Sequence, residues 1–142
     1  MDTPGVLVLM NSLVPSTSGS SSEVGVRDGA AFWKISSDVD ASDYAVVWTP
    51  GDRWFAVDVA GGFSYTYFEE DATDEDVVKV LDKLTEGARA YIEGHRSTHF
   101  SRVWKLPAIR VETRDGSMEL RLSLVGAVKR ALQPRRAKTR GR

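Results

Sequence analysis

The chain is expected to fold as an α+β domain, with an antiparallel sheet of about six strands and one long amphipathic helix packed on one face. Three observations carry that expectation. Short runs of β-branched and aromatic residues alternate with turn signals between residues 30 and 69. One stretch, 73–94, has the three- and four-residue apolar spacing of a helix. A second hairpin pattern follows it at 108–124. At 142 residues the chain is long enough for one domain with a sizeable core.

Residues 1–29 are expected to be flexible or weakly structured. The apolar run 5–10 is broken by Asn11-Ser12 and reads as a short edge strand or as an extension that adds nothing to the fold. Its flank lacks the positive charge of a signal peptide. A Ser/Gly-rich stretch at 15–25 has the composition of a flexible connector. The domain proper opens at 30–35, with Phe32, Trp33 and Ile35. After an aspartate-rich loop, Tyr44, Val46, Val47 and Trp48 form a strand. Pro50 and Gly51 suit a type II turn, and 53–59 returns as the next strand. Gly61-Gly62 turns the chain into 64–69, with Tyr65 and Tyr67 on one face.

Thr73 is placed to cap a helix by accepting from the amide of Asp76, and Asp74, Glu75 and Asp76 complement the helix dipole. Val77, Val80, Leu81, Leu84, Ala88, Tyr91 and Ile92 form the apolar face, and Gly94 ends the helix. Gly87 inside it costs about 1 kcal/mol relative to alanine, which predicts a close approach to a strand. A strand at 99–105 follows, then a hairpin of 108–113 and 118–124 turning at Asp115-Gly116. That register sets Val111 against Leu120 and Ile109 against Leu122, with Glu112 opposite Glu119 and Arg110 opposite Arg121 outside. A short C-terminal helix at 125–132 completes the domain, 30–132, and 133–142 reads as a basic disordered tail.

Charge is segregated. Residues 1–86 hold 16 acidic and 5 basic side chains, and residues 87–142 hold 4 acidic and 14 basic. The halves either pair with each other on folding or present surfaces of opposite sign. There are no cysteines, which excludes disulfides, thiolate nucleophiles and cysteine-based metal sites. No run has the ~20 apolar residues of a membrane span, so a cytoplasmic protein with no membrane partner is expected. Glu93, His95 and His99 are the only residues with metal-ligand chemistry in proximity. Gly94 interrupts the helix that would align the two histidines, so no metal and no cofactor is expected. No Gly-x-Ser-x-Gly elbow and no phosphate-cradling glycine motif occurs, so an enzyme is the weakest reading.

Two surfaces stand out. Asp38, Asp40, Asp43, Glu69, Glu70 and Asp71 belong to an acidic stretch that also contains Trp48 and Trp54. An exposed tryptophan among carboxylates has the chemistry of a hot spot for a basic protein partner. Lys129, Arg130, Arg135, Arg136, Lys138, Arg140 and Arg142 offer an alternative, sequence-independent contact with nucleic acid phosphates. A secretion-chaperone-like module holding a client segment on the sheet is a third reading.

The segment 44–92 resembles small actinobacterial immunity proteins of polymorphic toxin systems. The resemblance lies in the strand pair around Trp48-Thr49-Pro50-Gly51-Asp52-Arg53-Trp54-Phe55, the aromatic strand after it and the helix ending in Tyr91-Ile92, about a third of the chain. It implies a compact α+β protein that binds and blocks a cognate toxin without catalysis. Contact residues in such proteins vary with the toxin, so it assigns no individual position.

Overall fold

A computed structural model describes residues 2–13, 19–50, 53–100, 102 and 105–122. They form an eight-stranded antiparallel sheet with two helices. The order of elements is α1 (Thr3–Leu13), β1 (Ser20–Arg27), β2 (Ala30–Ser37), β3 (Tyr44–Thr49), β4 (Trp54–Val59), β5 (Phe63–Phe68), α2 (Asp74–Ile92), β6 (Arg96–Phe100), β7 (Pro107–Thr113) and β8 (Gly116–Leu122). The first five strands are a meander. The chain then crosses the core face as α2 and returns as β6 to β8, giving the strand order β1-β2-β3-β4-β5-β8-β7-β6.

The sheet has eight strands where about six were expected, and the N-terminal segment, expected to be flexible or weakly structured, supplies helix α1 and strand β1. Residues 3–13 form a helix, not an edge strand. The Asp2 carboxylate accepts from the Gly5 N–H at 3.0 Å, and Pro4 needs no partner in a first turn. Val6 and Met10, one turn apart, are both 0% exposed and take α1 into the core beside β2 and α2. Ser20, Ser21 and Ser22 of the serine-rich stretch belong to β1, one half of a hairpin. Asp28 and Gly29 have φ of 52° and 79°, the two positive values of a type I′ turn, and join β1 to β2 in eight uninterrupted residue pairs.

The helix follows its sequence signals closely. Thr73 and Asp76 form a reciprocal capping box, with the Thr73 hydroxyl accepting from the Asp76 N–H and the Asp76 carboxylate from the Thr73 N–H. Val77, Leu81, Leu84 and Ala88 are buried against Trp33, Ile35, Val47, Phe55, Val57, Val111, Met118 and Leu120 of the sheet. Gly87 makes the expected close approach: a Cβ there would lie 2.8 Å from Met118 Cε on β8.

Two registers differ from expectation. The strand after α2 starts earlier, at Arg96, and ends at Phe100. The final hairpin closes at Thr113 and Gly116 and pairs Ile109 with Leu120, Val111 with Met118 and Arg110 with Glu119. A slip of two residues keeps the same side chains inside, because side chains alternate with period two. On the outer face it replaces the like-charged pairs Arg110–Arg121 and Glu112–Glu119 with the complementary pair Arg110–Glu119. The helix expected at 125–132 and the basic tail at 133–142 lie outside the described residues.

The sheet curls around α2. Five strand steps separate β3 from β6, roughly 24 Å in a flat sheet. Yet Arg96, on β6, makes a two-pronged bond to Asp43, just before β3, with Nη1–Oδ1 3.0 Å and Nη2–Oδ2 3.2 Å. Among the described residues β5 and β8 share only the pairs Phe63–Leu122 and Ser64–Arg121. The helices fill the concave face, and the convex face has no element over it among the described residues.

Candidate functional site

Strand alternation places Phe32, Trp48, Trp54 and Phe68 on the convex face, one from each of β2 to β5. Phe32 pairs with Trp48, and Trp54 pairs with Phe68. The Trp48 and Trp54 rings meet edge to face with centroids 4.6 Å apart, a favoured aromatic geometry. Ala56, opposite Trp48 and two residues from Trp54, is buried although it lies on this face. Trp54 keeps 38% of its surface exposed and Phe68 64%. The two exposed rings are neighbours across β4 and β5 at one end of the sheet.

The sequence grouped six acids into one candidate patch, and the fold divides them. Three strands separate the 38–43 loop from the 69–71 loop, so the two lie at opposite ends of the sheet. At the first end, Asp38 accepts from the Ser21 hydroxyl. Asp40 accepts from the Ser42 N–H and hydroxyl, bonds that hold its carboxyl below the usual carboxylate range. Asp43 is engaged by Arg96, whose guanidinium stacks 4.0 Å from the Tyr91 ring centroid. At the second end, Glu69 accepts from the Tyr67 hydroxyl at 3.2 Å, and its N–H bonds the Arg53 carbonyl at 2.9 Å. Glu70 and Asp71 are exposed. These acids directly follow Phe68 and lead into Asp74 and Glu75 of α2. Of the expected residues, the fold therefore brings together Trp48, Trp54, Glu69, Glu70 and Asp71 at one corner, and leaves Asp38, Asp40 and Asp43 at the other end.

Asp58 and Phe68 enter the site without having been expected there. The Trp48 indole N–H donates to Asp58 Oδ2 at 2.7 Å, fixing the ring. Burial pushes the Asp58 carboxyl above its ordinary value, against the opposing effect of the Trp48 bond. Period-two alternation from Trp48 and Trp54 was the available signal for both residues. A shallow groove of about 710 Å³ continues over β1 to β4, lined by Phe32, Lys34, Tyr44, Trp48, Asp58 and Glu23 among others. The Lys34 ammonium lies 5.1 Å from the Tyr44 ring centroid, an intramolecular cation–π contact.

Among the described residues the charged halves also pair internally at two places. Besides Asp43–Arg96, Glu86 of α2 accepts from the Arg114 N–H at 2.8 Å and from its Nε at 3.0 Å. The bonds from Arg114 hold the Glu86 carboxyl below its usual range. Helix α2 ends before His95 and His99 lies in extended β6, so the helical spacing that would align the two histidines is absent. Among the described residues no group of three or more His, Asp or Glu side chains is arranged to hold a metal ion, and no helix is long and apolar enough to cross a membrane. The basic residues Lys129, Arg130, Arg135, Arg136, Lys138, Arg140 and Arg142 lie outside the described residues. Comparison with protein-family models, curated proteins and solved structures finds no match.

Proposed function

We propose that this chain is a non-catalytic protein-binding module that captures a basic partner at the corner formed by Trp54, Phe68 and the Glu69-Glu70-Asp71 loop. The observation that carries the reading is the exposed cross-strand pair Trp54–Phe68 immediately beside three consecutive acids. The aromatic rings supply contact area at low entropic cost. The acids, continued by Asp74 and Glu75, supply the field that accelerates encounter with a cationic surface and disfavours acidic ones. Trp48 and its bond to Asp58 hold Trp54 from behind, so the contact is preorganised. Stacking of nucleic acid bases on the same rings fits poorly, because phosphates would approach this acidic loop. Neutralisation of a cognate toxin, the role implied by the resemblance of segment 44–92, is the specific form of this reading, with the acidic loop selecting a basic one.

The test is capture from cell lysate with the wild-type chain, Trp54→Ala/Phe68→Ala, and Glu69→Lys/Glu70→Lys/Asp71→Lys as parallel baits. Circular dichroism confirms the fold of each. One basic protein retained by the wild type after nuclease treatment and lost from both variants supports the reading. Equal retention by all three baits refutes it.

A further inference from the structure

We infer that β1 is a self-complementary edge through which two copies of this chain pair antiparallel, joining their sheets across a two-fold axis at Gly25. Among the described residues β1 is a terminal strand of the sheet. Natural edges are blunted by proline, by charged side chains and lysine above all, by a bulge or by a cover. The only charges on β1 are the oppositely signed Glu23 and Arg27. Within Ser20–Arg27 there is no proline and no lysine, and its ladder with β2 runs through eight pairs without a bulge. The type I′ turn at Asp28-Gly29 makes Arg27 and Ala30 a hydrogen-bonded pair. Gly25 and Glu23 therefore also direct their backbone groups at β2, and Ser22, Val24 and Val26 direct theirs outward.

Charge selects the register. A two-fold centred on Glu23 sets glutamate against glutamate, and one centred on Arg27 sets arginine against arginine. Centres at Val24 or Val26 leave a charged residue opposite glycine. Only the centre at Gly25 sets Glu23 of each copy against Arg27 of the other, in non-hydrogen-bonded positions where side chains are closest. Within one chain the two are four residues apart on an extended strand, about 13 Å, and neither has an ion-pair partner among the described residues. The same register covers Val26, 51% exposed, with Val24 of the second copy.

Gly25 suits the axis. A Cβ there would lie 3.0 Å from Cε1 and Cζ of Phe32, so the Phe32 ring occupies the space over the glycine. With glycine opposite glycine, the Phe32 rings of both copies meet over the axis on the convex face. A side chain at residue 25 would block that contact.

Sedimentation equilibrium of the full chain tests the inference. The wild type is expected to dimerise reversibly. Glu23→Arg and Arg27→Glu each place like charges opposite one another twice per dimer and are expected to weaken it by about tenfold or more. The double variant Glu23→Arg/Arg27→Glu restores the dimer. Val24→Pro removes an outward N–H that β2 does not use, so a folded monomer by circular dichroism is expected. A wild type that stays monomeric at every concentration overturns the inference. So does a dimer that survives Val24→Pro, or one weakened by the single changes and not restored by the double.

Discussion

The bond between Asp43 and Arg96 fastens the loop before β3 to the far edge of the sheet, so its loss is expected to loosen the curl around α2. Both side chains are partly buried, at 23% and 33% exposed. The pair is two-pronged, and the guanidinium also stacks on Tyr91. An exposed ion pair contributes about 0–1 kcal/mol, whereas hydrogen bonds to charged groups contribute about 1.5–3. With a third of the arginine still in water, a coupling of about 1–1.5 kcal/mol is expected between the two residues. Asp43→Ala alone is expected to cost about 2 kcal/mol, because it also leaves a half-buried guanidinium without its acceptor. The assay is a double-mutant cycle of Asp43→Ala, Arg96→Ala and both, read by urea unfolding at neutral pH. Hydrogen exchange of the β6 and β7 amides in Asp43→Ala reports where the loss acts. A coupling below about 0.3 kcal/mol, or β6 protection equal to that of the wild type, would refute the reasoning that this pair holds the curl.

Three further predictions concern packing and pH. Met10→Ala should destabilise by about 2–4 kcal/mol in denaturant unfolding, because α1 is part of the core; a cost below 0.5 kcal/mol would mark it as a surface appendage. Gly87→Ala is expected to be within about 1 kcal/mol of the wild type, since the gain in helix propensity offsets the displacement of the flexible Met118 terminus; Gly87→Val should cost at least about 2 kcal/mol. Because burial raises the Asp58 carboxyl, the folded state holds that proton more tightly than the unfolded state. Stability therefore falls as pH rises from the ordinary carboxylate value through the raised one, and the full cost is present at neutral pH. Asp58→Asn should remove that dependence and raise the neutral-pH midpoint. An unchanged pH profile would show that Asp58 is not the group responsible.

The parts of the fold most legible in the sequence were those where one signal outweighed its rivals. Thr73 and Asp76 with the apolar series from Val77 to Ile92 allow only a capped helix, and the 44–69 meander follows from its turns and alternation. Where two readings were close in energy the sequence left them open. Val6 and Val8 have strand propensity, and only the one-turn spacing of Val6 and Met10 reveals the buried face of α1. Asp28-Gly29 is a strong hairpin signal that the serine-rich composition before it obscured. At Asp115-Gly116 the same dipeptide pointed to a turn one residue too late, and the complementarity of Arg110 with Glu119 identifies the register. In the candidate site, alternation places Trp48 and Trp54 together. Counting three strands between the acidic loops would have separated Asp38, Asp40 and Asp43 from Glu69, Glu70 and Asp71. The exposure of Phe68 depends on the open convex face, which strand patterns alone do not reveal.

The measurement that tests the central claim most directly compares charge reversal at the two ends of the sheet. The affinity of the captured basic partner would be determined by calorimetry for the wild type, Asp38→Lys/Asp40→Lys and Glu69→Lys/Glu70→Lys/Asp71→Lys, at low and raised salt. The account predicts that reversal beside Trp54 and Phe68 weakens binding by a hundredfold or more, roughly 2.7 kcal/mol, and that reversal at the opposite end changes it by less than about threefold. Equal losses from the two ends, or a loss confined to Asp38→Lys/Asp40→Lys, would contradict it.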